Sequence, residues 1–197
     1  FVRGPFMDAN ITATTITASA DTGDTVTLTA SADLFDAGHV KSLWRVKSGV
    51  VKITQVNSAT EAVGNVQNEP TGVAGDLDTS GSPTAAWAEG SFSAYRGYPS
   101  ACGFHEGRLW YAKDQSFYGS VAFAYDDFEI GSDDADAVVF EVASNEANVI
   151  RWINSGAKTL QVGTSGGTYS VFGGAGVPIT ATTINVQKDT NYGVAYI

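Results

Sequence analysis

Residues 25–29 read Thr-Val-Thr-Leu-Thr, a strict alternation of polar and apolar side chains. A period of two places Val26 and Leu28 on one face of an extended chain, which is typical of a half-buried β-strand. A second threonine-rich run occupies residues 11–17, and Asp21 to Asp24 supply turn residues between the two runs. This part of the sequence therefore predicts a β-hairpin.

Short segments rich in β-branched and aromatic residues recur along the rest of the chain. They cover residues 42–46, 50–56, 61–66, 102–104, 108–111, 119–125, 137–142, 149–153, 159–163 and 168–172. Turns rich in Gly or Asp separate many of them, and no twelve-residue stretch shows the 3.6-residue period of a helix. We expect an all-β protein with little helix, built as a sandwich, a barrel or a propeller.

The composition changes in the middle of the chain. Residues 67–84 are rich in Gly, Pro, Ser and Asn, which punctuate turns and break regular elements. We therefore predict a linker or long loop at 70–84, between a small β domain at 1–69 and a larger one at 85–197. The chain opens at Phe1 without an initiator Met and closes on the apolar residue Ile197, so we expect a piece of a longer polypeptide.

Charge and cysteine content exclude several classes of protein. The 197 residues include 21 acidic and 11 basic side chains, which gives a net charge of −10. Because tight binding to a phosphate backbone needs clustered Lys and Arg, this balance argues against a nucleic-acid-binding protein. The single Cys102 excludes a disulfide-stapled domain. No apolar run approaches the roughly 20 residues of a transmembrane helix, so we expect no membrane insertion by this segment.

One segment, residues 163–167, matches the Gly-x-Ser-x-Gly nucleophile pattern of hydrolases, with Ser165 at its centre. That chemistry needs a helix after the serine and a histidine later in the chain. Here another strand is predicted to follow, and both His39 and His105 precede the serine. We therefore expect a hairpin turn, and the sequence predicts no catalytic residue and no cofactor.

The candidate site residues lie in two acidic turns. They comprise Asp126, Asp127, Asp133, Asp134 and Asp136. A Ca²⁺ loop of the EF-hand type starting at Asp133 would need Gly and Glu where Val138 and Ser144 stand. Solvated turn carboxylates are expected and no metal site is predicted, although a weak Ca²⁺ site stays open.

The aromatic residues allow a second kind of function. Trp44, Trp87, Trp110 and Trp152 each have apolar neighbours in sequence, and we expect them in the core. The alternative is a platform on which sugars stack. In that case the chain would be a non-catalytic glycan- or receptor-binding β module.

A series of short motifs runs through the chain in a defined order. In the second half it consists of Trp87-Ala88-Glu89-Gly90-Ser91-Phe92-Ser93, Arg96-Gly97-Tyr98-Pro99, Phe104-His105-Glu106-Gly107-Arg108-Leu109-Trp110-Tyr111, Tyr118-Gly119-Ser120, Asp126-Asp127-Phe128, Asp133-Asp134-Ala135-Asp136-Ala137, Ser144-Asn145, Val149-Ile150-Arg151-Trp152, Leu160-Gln161-Val162-Gly163-Thr164 and Tyr192-Gly193. In the first half Gly4-Pro5-Phe6, Leu34-Phe35, His39-Val40 and Leu43-Trp44-Arg45 fit the same pattern. With these motifs the chain resembles the tail nozzle proteins of podoviruses and prophages, also called tail tubular protein B or tail hub proteins.

The resemblance implies a virion structural protein of the phage tail rather than an enzyme. It implies a homo-oligomeric ring, commonly a hexamer, that contacts the tail adaptor and the tail fibre proteins. DNA would pass through the ring during ejection without tight binding. It further implies a propeller-like β domain at 85–197, of which this chain supplies one or two blades, and a smaller sandwich-like domain before it. The acidic turns at 126–136 would then face the channel and repel phosphate.

Overall fold

The structure, a computed structural model, describes residues 1–69, 72, 74–142 and 148–195. Throughout these residues the regular structure is β-strand, apart from one short 3₁₀ turn at Ala37–His39. The strands form three antiparallel sheets, one of which is curled into a half-barrel. The prediction of an all-β chain with little helix is confirmed. No propeller is identified within the described residues.

The first compact unit spans Phe1–Tyr98. Its strands are β1 (Ile16–Ala18), β2 (Val26–Ala30), β3 (Leu43–Val46), β4 (Gly49–Ser58), β5 (Glu61–Val66) and β6 (Trp87–Glu89). They build one six-stranded sheet in the order β1-β2-β5-β4-β3-β6. The predicted hairpin is present as the β1–β2 pair, with Ile16 opposite Ala30.

Side-chain alternation in β2 places Val26 and Leu28 in the core, as the period of two predicts. The first strand is shorter than the predicted run of residues 11–17. Before it, the side-chain amide of Asn10 donates to the carbonyls of Thr12 and Thr14, at 3.2 and 3.1 Å. These local bonds use backbone acceptors that a longer strand would have placed in its ladder.

The sheet is bent, so that the chain next to its edge strand β6 approaches the opposite edge strand, β1. Ile16 of β1 forms a bridge to Thr84, three residues before β6 starts. The core inside the bend is apolar and aromatic. Its most deeply buried large side chains are Ile16, Leu28, Trp44, Ile53 and Leu77.

The division of the chain falls later than the sequence predicts. The second unit begins at Pro99, so residues 85–98 belong to the first unit, where β6 pairs with β3. Within the predicted linker 70–84, Leu77 is fully buried in the first core. Residues 70, 71 and 73 of that segment lie outside the described residues; the backbone at 74–83 is irregular, but Leu77 inside it still packs.

The second unit spans Pro99–Ile197. Its strands are β7 (Ala101–His105), β8 (Arg108–Lys113), β9 (Ser116–Gly119), β10 (Val138–Glu141), β11 (Ile150–Ser155), β12 (Leu160–Thr164), β13 (Gly167–Phe172) and β14 (Asn185–Thr190). They form two four-stranded meanders, β7-β8-β9-β10 and β11-β12-β13-β14. The first strands of the two meanders are close, since Ser100, just before β7, donates from Oγ to the carbonyl of Ile150 in β11 at 2.9 Å.

The second core is filled from both meanders. Its fully buried members include Trp110, Phe117, Ile150, Leu160 and Val171. The predicted strand at 119–125 is wrong beyond Gly119, because the chain turns there and Val121 bridges back to Ala124. Residues 120–137 instead form a long connection between β9 and β10, which we call the acidic loop.

Candidate functional site

The acidic loop contains all five of the predicted site residues. Asp126, Asp133 and Asp134 are exposed, and Asp136 is half-buried. Asp127 is only 3% exposed, and its Oδ1 accepts the backbone N–H of Glu129 at 3.0 Å. Asp127 therefore has a structural position and is removed from the predicted set of surface carboxylates, while the orientation of the others toward a channel stays a prediction.

Arg108, the first residue of β8, holds the base of the acidic loop. Its side chain is 3% exposed, and Nη1 donates to the carbonyls of Ser120 and Asp136, both at 2.6 Å. Nη1 also reaches the carbonyl of Ala135 at 3.2 Å, and Nη2 that of Asp134 at 2.5 Å. Burial lowers the pKa of Arg108, against the opposing charges of nearby carboxylates. One guanidinium thus fixes both arms of the loop, which suits its planar fork of donors.

Aromatic side chains protrude beside these carboxylates. Phe123 is 81% exposed and Phe104 on β7 is 61% exposed. The ring of Phe104 meets that of Tyr125 edge to face, with centroids 5.1 Å apart. We call Phe104, Phe123 and Tyr125 the aromatic patch. Sequence reasoning missed it, because an apolar residue in a predicted strand is expected to be buried, and the only signal was its position beside a run of aspartates.

The β7–β8 turn places a buried histidine next to the acidic loop. His105 is 5% exposed, and its Nδ1 lies 2.9 Å from Oγ of Ser155. Its Nε2 has no hydrogen-bond partner among the described residues and lies 3.9 Å from Oε1 of Glu106. Burial lowers the pKa of His105, and the charge of Glu106 only partly offsets that effect. A neutral imidazole is therefore favoured at this position.

A second polar cluster lies in the first unit and links residues that are far apart in sequence. Glu89 at the end of β6 is 6% exposed, and its Oε1 accepts from Nε2 of His39 at 3.1 Å. Arg96 binds the same carboxylate through Nε at 2.9 Å and Nη2 at 2.6 Å. Burial raises the pKa of Glu89, but the hydrogen bonds of His39 and Arg96, together with the charge of Arg96, outweigh burial and hold that pKa below its ordinary value.

The tautomer of His39 follows from its other contact. The backbone N–H of Asp36 donates to Nδ1 at 2.8 Å, so the ring hydrogen sits on Nε2 and points at Glu89. The ring of Tyr95 packs on His39 with centroids 4.5 Å apart. Gly38 allows this approach, since a Cβ there would lie 2.7 Å from the backbone nitrogen of Tyr95. The network therefore fastens the turn at 93–97 to the 3₁₀ turn.

A groove of about 540 Å³ opens beside this network. Its lining includes Met7, Asp8, Asp33, Trp87, Tyr95 and Arg96. Tyr95 is 54% exposed, whereas Trp87 is half-buried and its indole N–H donates to the carbonyl of Thr14 at 2.9 Å. Trp44 and Trp110 are fully buried, which confirms their expected core position, and Trp152 is half-buried.

The nucleophile-like segment has the geometry of a turn. Ser165 and Gly166 connect β12 to β13 directly, and the two strands pair from Thr164–Gly167 onward. The expected hairpin turn is confirmed. Oγ of Ser165 accepts the backbone N–H of Val149 at 3.1 Å.

Across the described ranges, no group of three or more His, Cys, Asp or Glu side chains is arranged to hold a metal ion. Over those same ranges no helix is both long and apolar enough to cross a membrane. No protein-family model matches the chain, and comparison with curated proteins finds no match either.

Proposed function

We propose that this chain is part of a virion structural protein of the tail nozzle or hub of a short-tailed phage, where it contributes to the wall of the DNA ejection channel. The main support for the proposal is that several residues of the motifs on which the resemblance rests make structural contacts. His39, Glu89 and Arg96 come from three separate motifs and meet in one network. Arg108, from a fourth motif, donates its hydrogen bonds to backbone carbonyls. Motif residues used in this way specify a scaffold rather than a reaction.

The topology of the second unit is consistent with this assignment. Each of its sheets is a four-stranded antiparallel meander in sequence order. Propeller blades have this topology, and their first strands lie next to each other around the axis. We infer that β7–β10 and β11–β14 are two successive blades, which the remaining blades of a longer polypeptide would complete.

The net negative charge of the chain fits the wall of a channel through which DNA must pass without binding. A net charge of −10 with scattered basic residues repels a phosphate backbone instead of binding it. In this proposal identical subunits, commonly six, close a ring below the tail adaptor and carry the fibres. Cyclic closure of this kind uses one repeated interface.

Electron microscopy tests the proposal directly. We expect antibodies raised against this chain to label the tail tip of phage particles, and the purified parent protein to form rings with a central hole. Labelling of the capsid or of host cells alone, together with discrete monomers of the parent protein, would contradict it.

A glycan- or receptor-binding module is the second candidate, and the groove of the first unit favours it. Aromatic and carboxylate side chains such as Tyr95, Asp8 and Asp33 are the groups that saccharides use for stacking and hydrogen bonding. Sugar binding on a glycan array that is lost with Tyr95→Ala would support this function. Tyr98→Ala is the matched control, because Tyr98 is 63% exposed and does not line the groove.

A further inference from the structure

Phe123 has an unfavourable backbone conformation as well as an exposed ring. Its φ of 62° lies in the left-handed region, which bulky residues rarely adopt. The ring is 81% exposed and lies over Gly107, where a Cβ would come within 2.8 Å of it. The fold therefore gains little burial in return for this strain. Backbone strain of this kind concentrates at functional contacts.

The loop that carries Phe123 is held in place before any partner binds. Arg108 fixes both arms of the acidic loop through carbonyl contacts. The backbone N–H of Phe123 donates to the carbonyl of Gly107 at 2.7 Å, and that of Ala122 to Ala135 at 2.8 Å. An aromatic side chain on a fixed backbone loses little entropy on binding, which is the property of an interface anchor.

The charge around the aromatic patch indicates the chemistry of the partner. The acidic loop contains six carboxylates and no Lys or Arg. Asp126, Asp133 and Asp134 are exposed, and none of the three forms an ion pair with a described residue. Such a surface attracts a basic partner and repels both DNA and the acidic surface of a second copy.

We propose that the aromatic patch and the three exposed aspartates form a docking surface for a basic segment of another protein. Apolar side chains of that segment pack against Phe104, Phe123 and Tyr125. Its Lys or Arg side chains pair with the aspartates, and a guanidinium stacks on an exposed ring. This assignment does not depend on the proposed function. It assigns the exposed aspartates of the acidic loop to a protein interface.

The test uses the intact chain and random dodecapeptides displayed on yeast as the probe. We expect enriched peptides to combine Lys or Arg with apolar residues. As synthetic peptides they should bind the wild type at least tenfold more tightly than Phe123→Asn. Asparagine tolerates the left-handed backbone, so this variant should keep the fold. The charge variant Asp126→Asn/Asp133→Asn/Asp134→Asn should lose at least threefold, and added salt should weaken binding to the wild type.

Tyr192→Ser is the matched control, since Tyr192 is 84% exposed and lies outside the patch. Unchanged binding to this variant supports the proposal. Circular dichroism checks that each variant is folded, and Tyr125→Ser replaces Phe123→Asn if that variant is not. No enrichment, enrichment of acidic or uncharged peptides, or equal losses for Phe123→Asn and Tyr192→Ser would overturn the proposal. Self-association of the wild type that Phe123→Asn abolishes would overturn it in favour of a second copy.

Discussion

Nε2 of His39 donates to Oε1 of Glu89 across 3.1 Å, between two side chains that lie fifty positions apart in sequence and are both almost fully buried. Arg96 completes the coordination of the carboxylate from a neighbouring turn. His39 and Glu89 are buried, whereas the Arg96 side chain is 40% exposed, so water partly screens the charge of Arg96.

Glu89→Gln is expected to lower the free energy of unfolding by about 2 kcal/mol, because the hydrogen bonds of Arg96 lose their charged acceptor and a buried amide takes its place. The control is Glu69→Gln, which removes the partly exposed pair with Arg3 at 3.2 Å. That loss should stay below about 1 kcal/mol. Urea unfolding of both variants measures the difference, and equal losses would contradict a structural role for the network.

The same carboxylate should make stability depend on pH in the acid range. The pKa of Glu89 lies below its ordinary value of 4.5, since hydrogen bonds from His39 and Arg96 outweigh burial. The unfolded chain therefore takes up a proton at a pH where the folded chain does not. The stabilisation is complete above pH 4.5 and is lost as pH falls through the lower, folded pKa. Consequently, the gap in unfolding free energy between wild type and Glu89→Gln should narrow in acid urea titrations.

His105 predicts a second pH dependence, closer to neutrality. Burial lowers its pKa from the ordinary value of 6.5, so below that pH the unfolded chain binds a proton that the folded chain excludes. Stability is then complete above pH 6.5 and decreases as pH falls toward the folded pKa. His105→Asn should reduce the slope of the thermal unfolding temperature against pH, measured between about pH 7.5 and about pH 5.5. An unchanged slope in this variant would refute the assignment.

Arg108→Lys should loosen the acidic loop although it keeps the charge. A lysine ammonium cannot reproduce the planar fork that binds carbonyls of Ser120, Asp134 and Asp136. We expect a loss of about 2 kcal/mol in unfolding free energy, as buried carbonyls lose their donors. Faster amide hydrogen exchange in residues 120–137 should accompany it. Lys158→Gln, at an exposed position, is the control and should change stability by less than about 0.5 kcal/mol.

A double-mutant cycle isolates the contact between Phe123 and Gly107. Gly107→Ala should cost about 1–2 kcal/mol for its φ of 72°, plus the clash of the new Cβ with the Phe123 ring. In the Phe123→Asn background only the backbone cost remains, so the penalty should shrink by about 0.5 kcal/mol or more. Strict additivity would mean that the two residues do not contact each other in solution.

Local sequence predicts most of the strands of this protein and several of its turns, but it does not predict β6, β9 or β14. The alternation in residues 25–29 predicts which side chains of β2 are buried, because successive side chains of a strand point to opposite faces. The predicted turn at Ser165 is likewise a matter of neighbouring residues. Local pattern fails at 119–125, where burial of Arg108 and the carbonyls that it binds turn the chain away from a strand path.

Tertiary structure decides what lies far apart in sequence. The pairing of β6 with β3 assigns residues 85–98 to the first unit, although a run of turn-forming residues precedes them. It also brings Glu89 to His39, while the arrangement around Arg108 leaves Phe123 in solvent. Side-chain periodicity selects the face of a strand, but the partner of each strand edge depends on hydrogen bonds and packing between distant segments. Those pairings set both the buried network and the exposed aromatic patch of this chain.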